Sequence, residues 1–262
     1  MGSLQAVSNH LLMLFFRLSF RDRCASWLPR MAQFMLPNLC VLCSVPSPKP
    51  FCTACDATFW NERRMRCRMC ALPLPGFRHA ANDYLCNDCQ RTPPSFDATL
   101  ALADYRAPLD DLVLGLKFRA QLAMAHEFAV RLARVADDML EADDWPDVIV
   151  PVPLSRERLI ARGYNQAWQI AQPLAQALRV KADATLLRRT LHTAPQSRLN
   201  LDARRHNVEH AFALTRAVRG QHIALVDDVM TTGATLEALA RMLKSAGARC
   251  VTNFVVLRTS RA

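Results

Sequence analysis

Leu225-Val226-Asp227-Asp228-Val229-Met230-Thr231-Thr232-Gly233-Ala234-Thr235 is the run that decides the fold. It starts inside a short apolar stretch, His222–Val226, which reads as a buried strand. Two carboxylates stand at the C-terminal end of that strand. A Thr/Gly loop follows and opens directly into a helix, Ala234–Ala246, ended by Gly247. Such a corner aims backbone N–H groups and hydroxyls at a phosphate, and the helix N-terminus adds its dipole. Gly233 lets the backbone approach closely. Carboxylates accept hydrogen bonds from vicinal hydroxyls such as those of a ribose. The run therefore suits a sugar phosphate. Asp227 and Asp228 would take the ring hydroxyls, and Thr231, Thr232, Gly233, Ala234 and Thr235 the 5′-phosphate.

The sequence around this run alternates strands and helices. Phe96–Tyr105 reads as a strand, Leu109–Phe118 and Leu122–Leu140 as helices, and residues 147–153 as a strand stopped by Pro151 and Pro153. Asn165–Leu178 reads as a helix, Ala184–Leu187 as a strand and Arg249–Leu257 as a last strand. This alternation predicts an α/β domain over residues 96–262, a parallel sheet with helices on both faces. The strand at 147–153 delivers Pro153-Leu154-Ser155-Arg156 to the same sheet edge, with Arg158 and Arg162-Gly163-Tyr164-Asn165-Gln166 beyond. Guanidinium forks there suit an anionic group.

Charge is concentrated in the same region. The chain has 262 residues and a formal charge of +10, with 29 Arg against 4 Lys. Residues 156–205 alone carry net +7, which suits a multiply anionic ligand or a nucleic-acid backbone. Arg189, His192, Gln196, Arg204, His206 and Asn207 lie in a polar segment without apolar periodicity. Aromatics make up 7% of the chain and do not interleave with the arginines, so base stacking is poorly supported and backbone contact is favoured. No window holds 18 consecutive apolar residues, so no membrane span is expected.

Eight of the ten cysteines form four CxxC pairs: Cys40/Cys43, Cys52/Cys55, Cys67/Cys70 and Cys86/Cys89. Each pair puts two thiolates on one tight turn, and two turns complete a tetrahedral zinc site. Two structural zinc ions are expected. Sequential pairing is the simplest, and a cross-braced pairing is the alternative. A disulfide framework would want an export signal, and none is visible. This ribbon spans residues 37–93. It carries five prolines between residues 40 and 89 and too few large apolar groups for a core of its own, so metal would supply folding energy. Arg63, Arg64, Arg66 and Arg68 form a basic cluster beside Cys67, suited to phosphates or to a solvated loop. Cys250 is expected as a buried thiol. Residues 1–36 read as an amphipathic helix or as upstream sequence from a mis-set start.

The run at 225–235 resembles the phosphoribosyl pyrophosphate (PRPP) loop of type I phosphoribosyltransferases. The resemblance implies that Asp227 and Asp228 face the ribose 2′- and 3′-hydroxyls and that residues 231–235 hold the 5′-phosphate. Pro153, Leu154, Ser155 and Arg156 would form the pyrophosphate loop, and Arg189, Gln196, Arg204 and Asn207 a mobile loop over the ribose. Magnesium would accompany PRPP, and Arg156 would help stabilise the leaving group. The four CxxC pairs, Leu116-Lys117-Phe118, Pro151-Val152-Pro153-Leu154, Arg162–Gln166, Pro195-Gln196 and the 227–235 run occur in one order. As a set they are similar to the ComF family, a double zinc ribbon fused to a phosphoribosyltransferase-like domain. That resemblance covers roughly residues 36–258. It implies a cytoplasmic bacterial protein linked to competence, DNA uptake or nucleotide metabolism. Three functions follow from it: a transferase, a factor that handles single-stranded DNA with competence or DNA-processing proteins, and a PRPP sensor without transfer.

Overall fold

The computed structural model describes residues 38–60, 64–77, 84–141, 144–190 and 211–260. The expected N-terminal helix and the expected mobile-loop residues Gln196, Arg204 and Asn207, with His192 and His206, lie outside them. The chain divides into two compact units, one through Thr58 and one from Phe59 onward. Among the described residues no helix is long and apolar enough to cross a membrane.

The first unit is built around the first two CxxC pairs. Its chain turns at Cys40–Ser44, where Cys40 N–H donates to Val45 O and Ser44 N–H to Cys40 O, each at 2.8 Å. Ser44 takes a left-handed conformation (φ 59°) that closes the turn. Thr53–Cys55 forms one helical turn, capped by the Cys52 thiol accepting from Cys55 N–H.

The second unit opens with a short antiparallel pair, β1 (Arg64–Arg66) and β2 (Pro73–Phe77). It continues with β3 (Ala98–Asp104), α1 (Leu109–Phe118), α2 (Ala123–Met139), β4 (Val148–Pro151), α3 (Arg156–Arg162) and α4 (Gln166–Leu178). Next come β5 (Lys181–Ala182), β6 (Leu187–Arg189), β7 (Phe212–Leu214), β8 (His222–Met230), α5 (Ala234–Ser245) and β9 (Cys250–Arg258). Five strands make one parallel sheet in the order β3-β9-β8-β4-β5. After β4 the chain crosses through α3 and α4 toward β5. After β8 it crosses through α5 the other way, to β9. Right-handed crossovers running in opposite directions put α4 and α5 on opposite faces, as the sequence alternation predicts.

The strands alternate accordingly. Ile223 and Leu225, with Val148, Val150, Val251 and Val255, face Leu236, Leu239 and Leu243 of α5. Phe128 and Leu132 of α2 and Ile170 and Leu174 of α4 are fully buried in the packing of the other helices. The strand expected near Ala184–Leu187 does not form there; short strands flank it. Lys181–Ala182 stays in the main sheet, while Leu187–Arg189 pairs antiparallel with β7. Asp183 causes the break. Its Oδ1 accepts the backbone N–H of Thr185 and Leu186 and the Thr185 hydroxyl, at 2.8, 3.1 and 2.8 Å, which turns the chain away from the sheet. Cys250 is half-buried at the start of β9 rather than fully buried.

Candidate phosphoribosyl site and metal centres

The switch point of the sheet lies between β4 and β8, where crossovers leave in opposite directions. Ligands of open α/β sheets bind at the C-terminal ends of such strands. There the structure places the two sequence-predicted loops on adjacent strands. Pro151 is in register with Val226, and Val152 N–H donates to Val226 O at 2.9 Å. Pro153-Leu154-Ser155 follows β4 and is half-buried, while Arg156 is exposed. Ser155 caps α3, its hydroxyl accepting from Arg158 N–H. Thr231 and Thr232 after β8 are exposed and Gly233 is buried. Gly233 sits at φ 82° as the N-cap of the 12-residue α5, a conformation that disfavours any side chain. The Thr232 hydroxyl accepts from Ala234 N–H at 3.3 Å.

The two aspartates meet different surroundings. Asp227 is half-buried, and its Oδ1 accepts Asp228 N–H at 2.9 Å. Desolvation, then the Asp228 charge, pushes the Asp227 carboxyl well above the usual carboxylate range. Asp228 is buried and forms an ion pair with Lys117, Nζ to Oδ2 at 3.0 Å. Lys117 comes from the last turn of α1. That turn is fixed by the segment after α3: Tyr164 OH donates to Leu116 O, and the Arg162 guanidinium stacks 5.1 Å from the Phe118 ring. Arg162 also donates to Gln166 Oε1 at 2.8 Å, and Asn165 Nδ2 to Val152 O at 3.0 Å. The Leu116–Phe118 and Arg162–Gln166 motifs thus hold Lys117 on Asp228 and tie both to the loop after β4. Arg189 of β6 lies 5.5 Å over the Phe212 ring. Burial, then the Arg158 charge, lowers its pKa, against an opposing effect of Glu157.

The cysteines assemble in sequential sets, Cys40/Cys43/Cys52/Cys55 and Cys67/Cys70/Cys86/Cys89, and within each the Sγ atoms lie within 4.8 Å of one another. The Cys43–Cys52 and Cys70–Cys86 Sγ pairs are 3.6 Å apart, against the ~3.8 Å edge of a tetrahedron with zinc–sulfur bonds near 2.3 Å. The second set repeats the turn of the first. Cys67 N–H donates to Leu72 O, Ala71 N–H donates to Cys67 O, and Ala71 is left-handed (φ 54°). Without a cation the second set opposes its own ionisation. Cys67 is pulled down to about 4, foremost by the hydrogen bond from Cys70. Cys70 is pushed up, foremost by Cys67, and Cys89 is pushed up to about 12, foremost by burial. A dication at the centre would remove that conflict, so both sets fit zinc. Of the basic cluster beside Cys67, Arg66 turns inward to Asp104 (Nη1 to Oδ1, 2.8 Å), while Arg68 is exposed.

The phosphoribosyl transferase domain family matches residues 164–261. The chain is 34% identical to the DNA utilization protein YhgH of Escherichia coli K12 over 230 residues, covering 86% of this chain and 98% of that protein. The chain belongs to the ComF/YhgH family. Within that family it is 33% identical to competence protein F of Haemophilus influenzae over 62% of this chain and 73% of that protein. It is 28% identical to competence protein ComFC of Bacillus subtilis over 79% and 84% respectively. Part of the chain is also similar to a solved hypoxanthine phosphoribosyltransferase of Staphylococcus aureus (11% identity, TM-score 0.33, 52% of this chain and 62% of that chain).

Sequence reading did not single out Arg258, which the structure buries at the end of β9. Its signal was a charged residue ending the apolar run 254–257. A charge in a central strand needs buried partners, and Arg258 has them.

Proposed function

We propose that this ComF/YhgH-family chain binds PRPP with magnesium between the loops after β4 and β8. The carrying observation is the acidic pair Asp227/Asp228 followed by a glycine-capped helix N-terminus, beside an arginine-bearing loop on the neighbouring strand. Asp227 would accept the ribose hydroxyls. Asp228, neutralised by Lys117, would fix the end of β8 on which Asp227 stands. The N–H groups and hydroxyls of residues 231–235 would hold the 5′-phosphate. Arg156 would reach the pyrophosphate from the other side. In a transferase, a nucleophile forms a bond to the anomeric carbon as the carbon–oxygen bond to pyrophosphate breaks, and the electron pair leaves with pyrophosphate. Magnesium would supply charge neutralisation on that leaving group. Zinc in both cysteine sets would be structural, because four thiolates leave no open position. Two four-cysteine sets arranged as metal ligands fit a reducing compartment, for which we propose the cytoplasm.

Titration of zinc-loaded protein with magnesium–PRPP by calorimetry tests the reading. Saturable binding is expected, and the Asp227→Asn/Asp228→Asn double variant should lose it while remaining folded. Equal affinity in wild type and variant rejects the assignment. Pyrophosphate release on adding candidate acceptors then separates a transferase from a sensor. A second reading, backbone contact with single-stranded DNA, is favoured by the net charge of +7 over residues 156–205 and by exposed Arg156 and Arg158. It predicts DNA affinity that falls steeply with salt, and a flat salt response rejects it.

A further inference from the structure

Arg258 ends β9 and is 2% exposed. A buried guanidinium is tolerated only where its donors are satisfied. Its partners are backbone carbonyls from separate parts of the chain. Nε donates to Cys70 O at 2.8 Å. Nη1 donates to Met230 O at 2.9 Å, to Thr231 O, and to Thr259 O at 2.8 Å. Cys70 is a thiol of the second cysteine set. Met230 and Thr231 are the last residue of β8 and the first of the loop assigned to the 5′-phosphate. One planar group therefore joins the second knuckle to the start of that loop.

The surrounding packing supports the joint. Cys67, Cys70, Ala71, Leu72 and Cys89 share one buried cluster with Met230, Leu236 and Leu239. Met230 is also the residue whose Cε would meet a Cβ at Gly233. The knuckle is fixed to the sheet by other contacts too: Arg66 Nη1 to Asp104 and to Ala71 O, and Thr99 N–H to Arg68 O at 2.9 Å. Those contacts hold the knuckle on the sheet but do not touch the loop. Arg258 does both.

We propose that Arg258 is a positioning residue that makes the geometry of the 231–235 loop depend on the metal-filled second cysteine set. The proposal rests on the PRPP reading of that loop. With the four thiolates held around an ion, the Cys67–Cys70 turn is closed and its last carbonyl is a fixed acceptor. The guanidinium is then held in one orientation, and its other donors fix the carbonyls of residues 230 and 231. The N–H groups that follow are aimed as a consequence. When metal leaves, nothing holds the four sulfurs together, the Cys67–Cys70 turn relaxes and Arg258 loses its Nε acceptor. A buried donor without a partner is costly, so the guanidinium shifts to find one. An anion site assembled from backbone groups loses affinity when those groups move by about an ångström.

The test uses the full-length, zinc-loaded chain and the variants Arg258→Lys and Arg66→Gln. Lysine keeps the charge but cannot span carbonyls on two sides as a planar fork does. Three quantities are read: zinc per chain, hydrogen exchange of residues 230–235 against residues 223–226, and calorimetric affinity for magnesium–PRPP. Arg258→Lys should keep both zinc ions and the protection of 223–226. Exchange at 230–235 should rise about tenfold or more, and PRPP affinity should fall about tenfold or more. Arg66→Gln should leave both loop readouts near wild type. Unchanged exchange and affinity in a zinc-replete Arg258→Lys protein overturn the proposal, as does an equal effect in Arg66→Gln. If Arg258→Lys does not fold, zinc release from wild type by a chelator decides. Loop exchange should rise with exposure of residues 67–72 while 223–226 stay protected. Simultaneous loss of protection everywhere, or none in the loop, overturns the proposal. Failure of the PRPP reading shows separately, as wild type that binds no PRPP, and the exchange measurement still reads the joint.

Discussion

Adjacent residues of a strand project to opposite faces, and this alternation separates Asp227 from Asp228. Asp228 is buried with a cation beside it, whereas Asp227 stands half-buried with its neighbour's negative charge and its own desolvation raising its pKa. An ordinary aspartate in the unfolded chain titrates near 3.9. The folded state therefore holds the Asp227 proton to higher pH than the unfolded state does. Its contribution to stability falls as pH rises from about 4 through the raised folded value, because N binds more protons than U there. Ligand binding has the opposite sign. Ribose hydroxyls donating to the carboxylate favour its charged form, so PRPP affinity should increase with pH over the same window and binding should release protons. Calorimetry in buffers of different ionisation enthalpy measures that release. Asp227→Asn should abolish it and flatten the pH dependence of urea stability. A wild-type binding enthalpy independent of buffer would mean Asp227 does not change protonation on binding. The acids were legible in the sequence as a pair. Their division of labour was not, because it depends on Lys117 arriving from a helix more than 100 positions away.

At the scale of elements, most periodic segments were read correctly, whereas β8 runs four residues beyond its expected end at Val226 and the strand expected at 184–187 does not form there. Leu109–Phe118 appears as a helix with the expected bounds, and Ala234–Ser245 and Cys250–Arg258 lie within a residue of theirs. Their apolar spacing matches their packing, so pattern and structure agree. The reading failed at 184–187 because Asp183 competes for backbone N–H groups, and such local side-chain bonding has no periodicity. The loop after β8 was legible for a different reason, since Gly233 is required where the chain must turn left-handed into α5. Gly233→Ala should cost about 1–2 kcal/mol in unfolding free energy, the usual penalty for a left-handed L-residue. The added Cβ would also lie 2.6 Å from Met230 Cε, which must move. Urea denaturation should show that loss with an unchanged m-value, and PRPP affinity should fall with it because Ala234 N–H follows the same turn. An alanine variant as stable as wild type would mean that the corner has relaxed to another conformation.

Across the whole molecule, the two cysteine sets are alike in sequence and in local turn geometry but differ in what surrounds them. Cysteine spacing marks both equally, and it carries no information about which will be buried against a sheet. The first set lies in the unit that ends at Thr58, with Cys43 exposed. The second contributes Cys67, Cys70 and Cys89 to the core that α5 covers. Removing a ligand should therefore have unequal consequences. Cys43→Ser should lower zinc content while leaving the main thermal transition, that of the sheet unit, within about 2 °C of wild type, as expected when no buried contact of that unit is lost. Cys70→Ser should lower zinc content and also lower that transition by roughly 10 °C, since metal binding and folding free energy are linked and each kcal/mol moves a domain of this size a few degrees. Calorimetric melts with zinc analysis of the same samples distinguish the two. Equal shifts for both variants would mean that the units unfold together, and no shift for Cys70→Ser would mean that the sheet core closes without its knuckle. The predicted inequality follows from burial: Cys43 is exposed, whereas Cys70 is packed under α5 against the sheet that carries the candidate ligand site.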